Sequence, residues 1–351
     1  MSIGEAAWRR RFPAVTSSSS EDAIRSEGLI PVILAIDIEP DAFQVNRANP
    51  EPWRGYETAQ RFFAELRSRL EALTAAPAHY LWSLRIDPQI AESYGSPTWI
   101  AEEYGTHLKD VQACGDELGV HPHAFRWLPD EGTWLHDFGN EAWVEHCVRM
   151  ALDGFAQVFS RPCVSFRFGD RFMTTHVANL LERLGVLYDL TAEPGTPEAP
   201  GPRPDELSSG PQPDYTRVPR EPWVPSEADF RRPAPPHTRR RLRMIPLTSS
   251  HVKLGFHPRA YARRIWLNGF RYRLQDMTIP MYCQWPPPDT FDRLVDRALR
   301  RMRRPYLAFA IRTDRNLTRK VAGNIETLLT HPAAPRFRFC TPAEALAMLD
   351  G

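Results

Sequence analysis

The sequence predicts an α/β fold, a parallel sheet rolled into a distorted (β/α) barrel with helices on its outer face. Strand-like runs near residues 30–37, 79–86, 118–123, 162–167, 186–190, 278–283, 306–312 and 336–340 alternate with stretches of helical periodicity. About seven or eight strands in such alternation suit a barrel. Asp37, Asp87, His121 and Arg167 each fall at the C-terminal end of a run, where barrels of this kind carry their chemistry.

Residues 1–28 are polar, include Ser17 to Ser20, and read as a loose leader before a single domain spanning 29–351. The first run, Leu29 to Ile36, is almost wholly apolar, the pattern of a strand buried on both faces. Phe62, Leu66, Leu70 and Leu73 then share one helical face. Trp143, Cys147, Met150 and Val158 share a second, and Phe291, Leu294, Ala298 and Met302 a third. Thr341-Pro342-Ala343-Glu344 reads as an N-cap, a first-turn proline and a capping-box glutamate opening a last short helix.

Residues 191–240 break the alternation. The prolines between Glu193 and Pro204, and between Arg231 and Pro236, bar regular helix and central strand. A stretch this long in a compact domain is either disordered or functional. Tyr215, Trp223 and Phe230 lie in it, so an ordered excursion over the barrel mouth is expected.

The formal net charge is +1, which supplies no field for nucleic acid or an anionic membrane. Arginine carries nearly all the positive charge, Lys109, Lys253 and Lys320 being the lysines. Five scattered cysteines without a CxxC pair read as small buried residues rather than a disulfide framework. Neither a signal-peptide core nor a membrane-length apolar run is present, so a cytoplasmic protein is expected.

Two pairs carry the chemistry. Asp37-Ile38-Glu39 and His121-Pro122-His123 each follow a strand-like run, and residues two apart on a strand share a face. Two carboxylates and two imidazoles then meet in one cavity, a ligand set for a divalent metal with a carboxylate left to act as base. Asp87 ends the second run, where it either lines the site or caps a helix.

These residues resemble the polysaccharide deacetylase (NodB-homology, carbohydrate esterase family 4) superfamily. Leu34-Ala-Ile-Asp37-Ile-Glu39-Pro-Asp41 is similar to its first motif, and Gly115-Asp-Glu117-Leu-Gly119-Val-His121-Pro-His123 to its histidine box. Ser165-Phe-Arg167-Phe-Gly169-Asp170, followed by Leu180 to Asp189 and Pro194-Gly195, is similar to its arginine motif and the run beyond it. The resemblance implies a NodB-type barrel, with Asp37 as catalytic base, Glu39, His121 and His123 as metal ligands, and Arg167 holding Asp37. Asp170 is a further candidate on the arginine motif. In the family the box histidines stand four residues apart; here they are two apart, with Phe125 in the later position. Where the late motif has a general-acid histidine, Tyr306 to Asp314 carries Arg312 instead, which leaves His251 and His257 as candidates for that role.

The expected activity is metal-dependent hydrolysis of an acyl group, N-acetyl first, from a cytoplasmic sugar intermediate, with one divalent ion, zinc by default. An acylated small molecule that is not a sugar is a further substrate class. A degenerate family member that binds a glycan or nucleotide sugar is the rival reading. A non-haem iron oxygenase shares the two-histidine, one-carboxylate set but is disfavoured by the strand–helix alternation.

Overall fold

A computed structural model of the chain describes residues 28–202, 206–253, 280–283, 285–286, 288–314 and 319–351. The leader expected at 1–28 lies almost wholly outside the described residues, as does His257. In chain order the elements are β1 (Ile30–Ile38), α1 (Arg54–Thr74), β2 (Leu81–Leu84), α2 (Pro88–Tyr94), α3 (Trp99–Glu103), α4 (Gly105–Ala113), β3 (Glu117–Val120), β4 (Phe125–Leu128), β5 (Thr133–His136) and α5 (Glu141–Phe159). Then come β6 (Ser165–Phe166), α6 (Thr175–Arg183), β7 (Tyr188–Asp189), β8 (Arg243–Met244), β9 (Ser250–Lys253), β10 (Pro280–Cys283), α7 (Pro288–Arg301), β11 (Leu307–Arg312), α8 (Arg319–Thr330), β12 (Phe337–Phe339) and α9 (Pro342–Asp350).

The main sheet runs β11-β1-β2-β3-β6-β7-β8, with β12 also paired to β1, and every pairing in it is parallel. It curls into a half-barrel. Between its two ends, Thr248 donates its N–H to the carbonyl of Ala308 at 2.7 Å, and its hydroxyl accepts from Ala308 N at 2.9 Å. Alternation along β1 sorts the core. Val32, Leu34 and Ile36 pack with Tyr56, Phe63 and Leu70 of α1, in the layer between sheet and helices. Ile33 and Ala35 join Leu81, Ala308 and Ala310 in a second cluster on the concave side, closed below by Ala345, Leu346 and Leu349 of α9. The same parity puts Asp37 and Glu39 on the concave side.

Several expectations need correction. The run 278–283 was assigned to the barrel, but β10 pairs antiparallel with β9 outside the main sheet, because a short apolar run does not specify its partner. The strand supplying the far edge of the barrel is β8, two residues long and hidden in an arginine-rich stretch. The expected strand 118–123 ends at Val120, so the two histidines stand just past it. A hairpin of β4 and β5 follows. On α5 the buried stripe is Val144, Cys147, Val148, Ala151, Leu152 and Phe155, while Val158 is exposed and Trp143 and Met150 half-buried. Cys114 is exposed, whereas Cys147, Cys163 and Cys340 are buried as expected. The α9 capping box is present, with Thr341 Oγ1 accepting from Glu344 N and the Glu344 carboxylate accepting from Thr341 N. In the proline-rich stretch Tyr215, Trp223 and Phe230 are all buried. No described helix is long and apolar enough to cross a membrane.

Candidate metal centre

Glu39 and Asp37 reach the site from β1 and its exit. The backbone there is tied across to β11, with Thr313 N donating to Asp37 O at 3.0 Å and Glu39 N donating to Thr313 Oγ1 at 2.8 Å. His121 is the first residue after β3, and its N–H still donates to Leu84 O of β2 at 2.7 Å. Loss of the ladder at Val120 leaves the parity of the next residues intact, so His121 and His123 both face inward beside Glu39.

The polar atoms converge closely. Glu39 Oε1 lies 3.1 Å from His121 Nε2 and 3.3 Å from His123 Nε2, and the two Nε2 atoms are 3.2 Å apart. All three side chains are buried and form a group able to hold a metal ion. The tautomers follow from the other ring nitrogens. His121 Nδ1 faces the carbonyl oxygen of Arg167 at 2.9 Å, and His123 Nδ1 faces Asp170 Oδ2 at 2.9 Å. Both partners only accept, so each Nδ1 carries a proton, and in the neutral form of each ring Nε2 presents a lone pair. With both rings neutral, three acceptor atoms face one another, and a cation among them would satisfy all three. Tetrahedral N/O ligands ~2.1 Å from a divalent ion stand about 3.4 Å apart, close to the spacings here. The donor set fits zinc and other borderline divalent ions.

Electrostatics around the triad are unusual. Burial alone would raise the Glu39 carboxyl, but Arg312, Arg85 and His123 hold it well below the usual carboxylate range. Arg85 is itself fully buried, paired with Glu39 and Asp87 and donating to Gln89 Oε1 at 2.8 Å. Burial and Arg85 push His123 down, yet Asp170 and Glu39 outweigh them and its pKa is raised. Asp170 is lowered against its own burial by His123 and His136.

Asp37 stands beside the triad, with Oδ1 3.9 Å from His121 Nδ1. Arg167 Nε donates to both its oxygens, at 3.1 and 2.9 Å, while Nη1 donates to Leu190 O at 3.0 Å. The Asp87 carboxylate makes two contacts with backbone. Its Oδ1 accepts from Ile90 N at the start of α2, and its Oδ2 accepts from His123 N at 3.0 Å. Arg312, at the end of β11, reaches within 3.5 Å of Glu39 Oε1, makes a two-point pair with Asp314, and lies over the Phe43 ring. His251 is on β9, which is not a strand of the main sheet.

Sequence reasoning missed Arg85 and His136. Arg85 had a signal, a charge inside the otherwise apolar run that becomes β2 and its exit. His136 had none, because its place beside Asp170 depends on the β4–β5 hairpin folding back. Its Nδ1 lies 3.2 Å from Asp170 Oδ2, out of line for a hydrogen bond.

No family profile and no curated protein matches the sequence. Among solved structures, the chain is similar to a protein from Parabacteroides distasonis provisionally assigned as a glycoside hydrolase/deacetylase, with 13% identity, 91% of this chain and 71% of that one covered, and a TM-score of 0.51. A provisionally assigned polysaccharide deacetylase from Mycobacterium smegmatis aligns over 92% of this chain and 91% of its own at 12% identity, with a TM-score of 0.43. The likeness to the Parabacteroides structure shows the fold, the (β/α) half-barrel that the sequence motifs implied.

Proposed function

We propose that the protein is a metal-dependent hydrolase that removes an acyl group, N-acetyl above all, from a sugar. The observation that carries this reading is the convergence of Glu39 Oε1, His121 Nε2 and His123 Nε2 as three acceptors, beside a carboxylate that Arg167 holds. The Parabacteroides structure, described as a glycoside hydrolase/deacetylase, supports a carbohydrate substrate.

Glu39, His121 and His123 would hold a divalent ion, which would supply a Lewis acid for an acyl carbonyl and for a water. Asp37 accepts the proton of the attacking water. Its two oxygens are oriented by Arg167 Nε, and its burial behind that guanidinium keeps solvent from competing for it. Protonation of the leaving amine needs a different group, because a guanidinium such as Arg312 does not give up its proton at neutral pH. Activated esters are therefore cleaved more readily than N-acetyl sugars unless His251 or His257 acts as the acid. Side-by-side assay of a nitrophenyl acetate and an N-acetylhexosamine, with wild type, His251→Ala and His257→Ala, tests this. Amide cleavage that falls far more than ester cleavage in one histidine variant identifies the acid. Bound metal with no turnover of either substrate refutes the hydrolase.

The rival is a protein that binds a glycan or nucleotide sugar without hydrolysing it. Arg85 and Arg312 favour it, since two guanidinium groups against Glu39 weaken the pull of that carboxylate on a metal. Metal content and turnover together separate the two: about one divalent ion per purified chain with acyl cleavage supports the hydrolase, and the ion without cleavage supports the binding protein.

A further inference from the structure

The proline-rich stretch grips one turn of the barrel mouth at several points. Asp170 and Arg171 are consecutive non-glycine residues in the left-handed region, with φ of 53° and 59°. Such a conformation persists only where the surroundings enforce it. The Gln212 side-chain amide donates to the Asp170 carbonyl, and Arg171 Nη2 donates back to Gln212 Oε1 at 2.8 Å. The Tyr215 hydroxyl donates to the Arg171 carbonyl at 2.6 Å, and both Gln212 and Tyr215 are buried. Farther along the mouth, Glu206 Oε2 is 3.0 Å from His136 Nε2, and His136 Nδ1 faces the same Asp170 Oδ2 that takes His123 Nδ1. Leu207 and Ser209 exchange backbone hydrogen bonds with His136, at 3.0 and 2.9 Å.

The turn packs directly on the metal-facing imidazole. A Cβ placed on Gly169 would come within 2.4 Å of three atoms of the His123 ring, so turn and ring move together. On the other side of the ring pack Phe43, edge-on, and Phe125, stacked. The Asp170 carboxylate is the partner of the His123 Nδ1, and Gln212 and Tyr215 bind the backbone of the turn that carries it.

We propose that Glu206, Gln212 and Tyr215 are positioning residues, which through His136 and the Asp170–Arg171 turn hold His123 in the orientation that completes the metal site. The inference rests on the metal reading above and adds to it that the proline-rich stretch is part of the site. Partners of ligating imidazoles typically change metal affinity by about 10–100-fold when removed.

The test uses the full chain and two probes, zinc by chelator competition and cobalt by its visible absorption. Tyr215→Phe, Gln212→Ala and Glu206→Gln are compared with Trp223→Phe, which alters the same stretch where its indole donates to Phe230 O, away from the turn. The expected result is zinc binding weakened about 10–100-fold in the first three variants, with a displaced cobalt band. Trp223→Phe should lower only the stability of the metal-stripped protein and leave affinity and spectrum at wild-type values. Wild-type affinity and spectrum in Glu206→Gln and Tyr215→Phe would overturn the proposal, as would losses in Trp223→Phe equal to theirs. A wild-type chain that binds neither probe would instead overturn the metal reading on which it rests.

Discussion

His121 and His123 are two residues apart, yet different parts of the molecule hold them. His121 is anchored by backbone: its N–H donates to Leu84 O, and its Nδ1 donates to the carbonyl of Arg167. Both partners lie at the ends of barrel strands. His123 is anchored by side chains, its N–H on Asp87 and its Nδ1 on Asp170, and its ring is wedged between Phe43 and Phe125. The sheet makes one half of the site, and loops tied by side chains make the other. A ligand held by the ladder is insensitive to most single substitutions, whereas one held by a carboxylate on a strained turn can be retuned from a distance.

The largest expected effect breaks the sheet-held half. Asp37→Asn keeps the shape of the Arg167 contact but removes the base, so turnover should fall by roughly 10² to 10⁴ with metal content unchanged. Glu39→Ala should lose metal and turnover together. Metal analysis alongside kinetics checks both, and equal metal loss in the two variants would make Asp37 a ligand.

The next effect lies beneath that half. Asp189 on β7 accepts from the N–H and hydroxyl of Thr191, at 3.0 and 2.7 Å. Burial raises its pKa to about 7, only partly offset by those hydrogen bonds and by Arg167. For an acid whose folded pKa is raised, the folded state binds the extra proton. Its stabilising contribution is full below about pH 4 and is lost as pH rises through about 7. At most about 4 kcal/mol is at stake across that pH range. Urea unfolding of wild type and Asp189→Asn across pH 4–8 should show the difference between them changing over that window. A constant difference would mean that Asp189 is ionised throughout.

A smaller effect sharpens the comparison from the loop side. Asp170→Asn should weaken zinc binding by about 10–100-fold while the protein stays folded. No side-chain substitution can do the same to His121 through its Nδ1 partner, which is a backbone carbonyl. Unchanged affinity in Asp170→Asn would place both imidazoles under backbone control. The smallest effect is far from both halves. Thr341→Ala should cost about 1 kcal/mol of stability by removing the α9 cap, with no change in metal affinity.

Much of the sheet-held half was legible in the chain. Asp37 and Glu39 follow an apolar run whose period-two alternation continues into them, and the arginine after the short β6 strand pairs with Asp37. The loop-held half was only partly legible. His123 was read as the second member of a strand pair, but the strand ends three residues earlier and its orientation comes from Asp170. Arg85 was passed over because burying a guanidinium depends on two carboxylates brought to it from β1 and the β2 exit.

By itself the sequence determined the parallel α/β class, the inward parity of Asp37, Glu39, His121 and His123, and the α9 cap. These follow from local rules of spacing and capping that act within a few residues. The tertiary structure alone decided that β8 rather than β10 extends the barrel sheet. It also decided that Arg312 approaches Glu39, that Gln212 and Tyr215 reach a strained turn 42 and 44 residues before them, and that Glu206 reaches His136, 70 residues before it. Those outcomes depend on which distant segments meet, and a side chain's partner across such a distance is chosen by packing and charge, which periodicity does not encode.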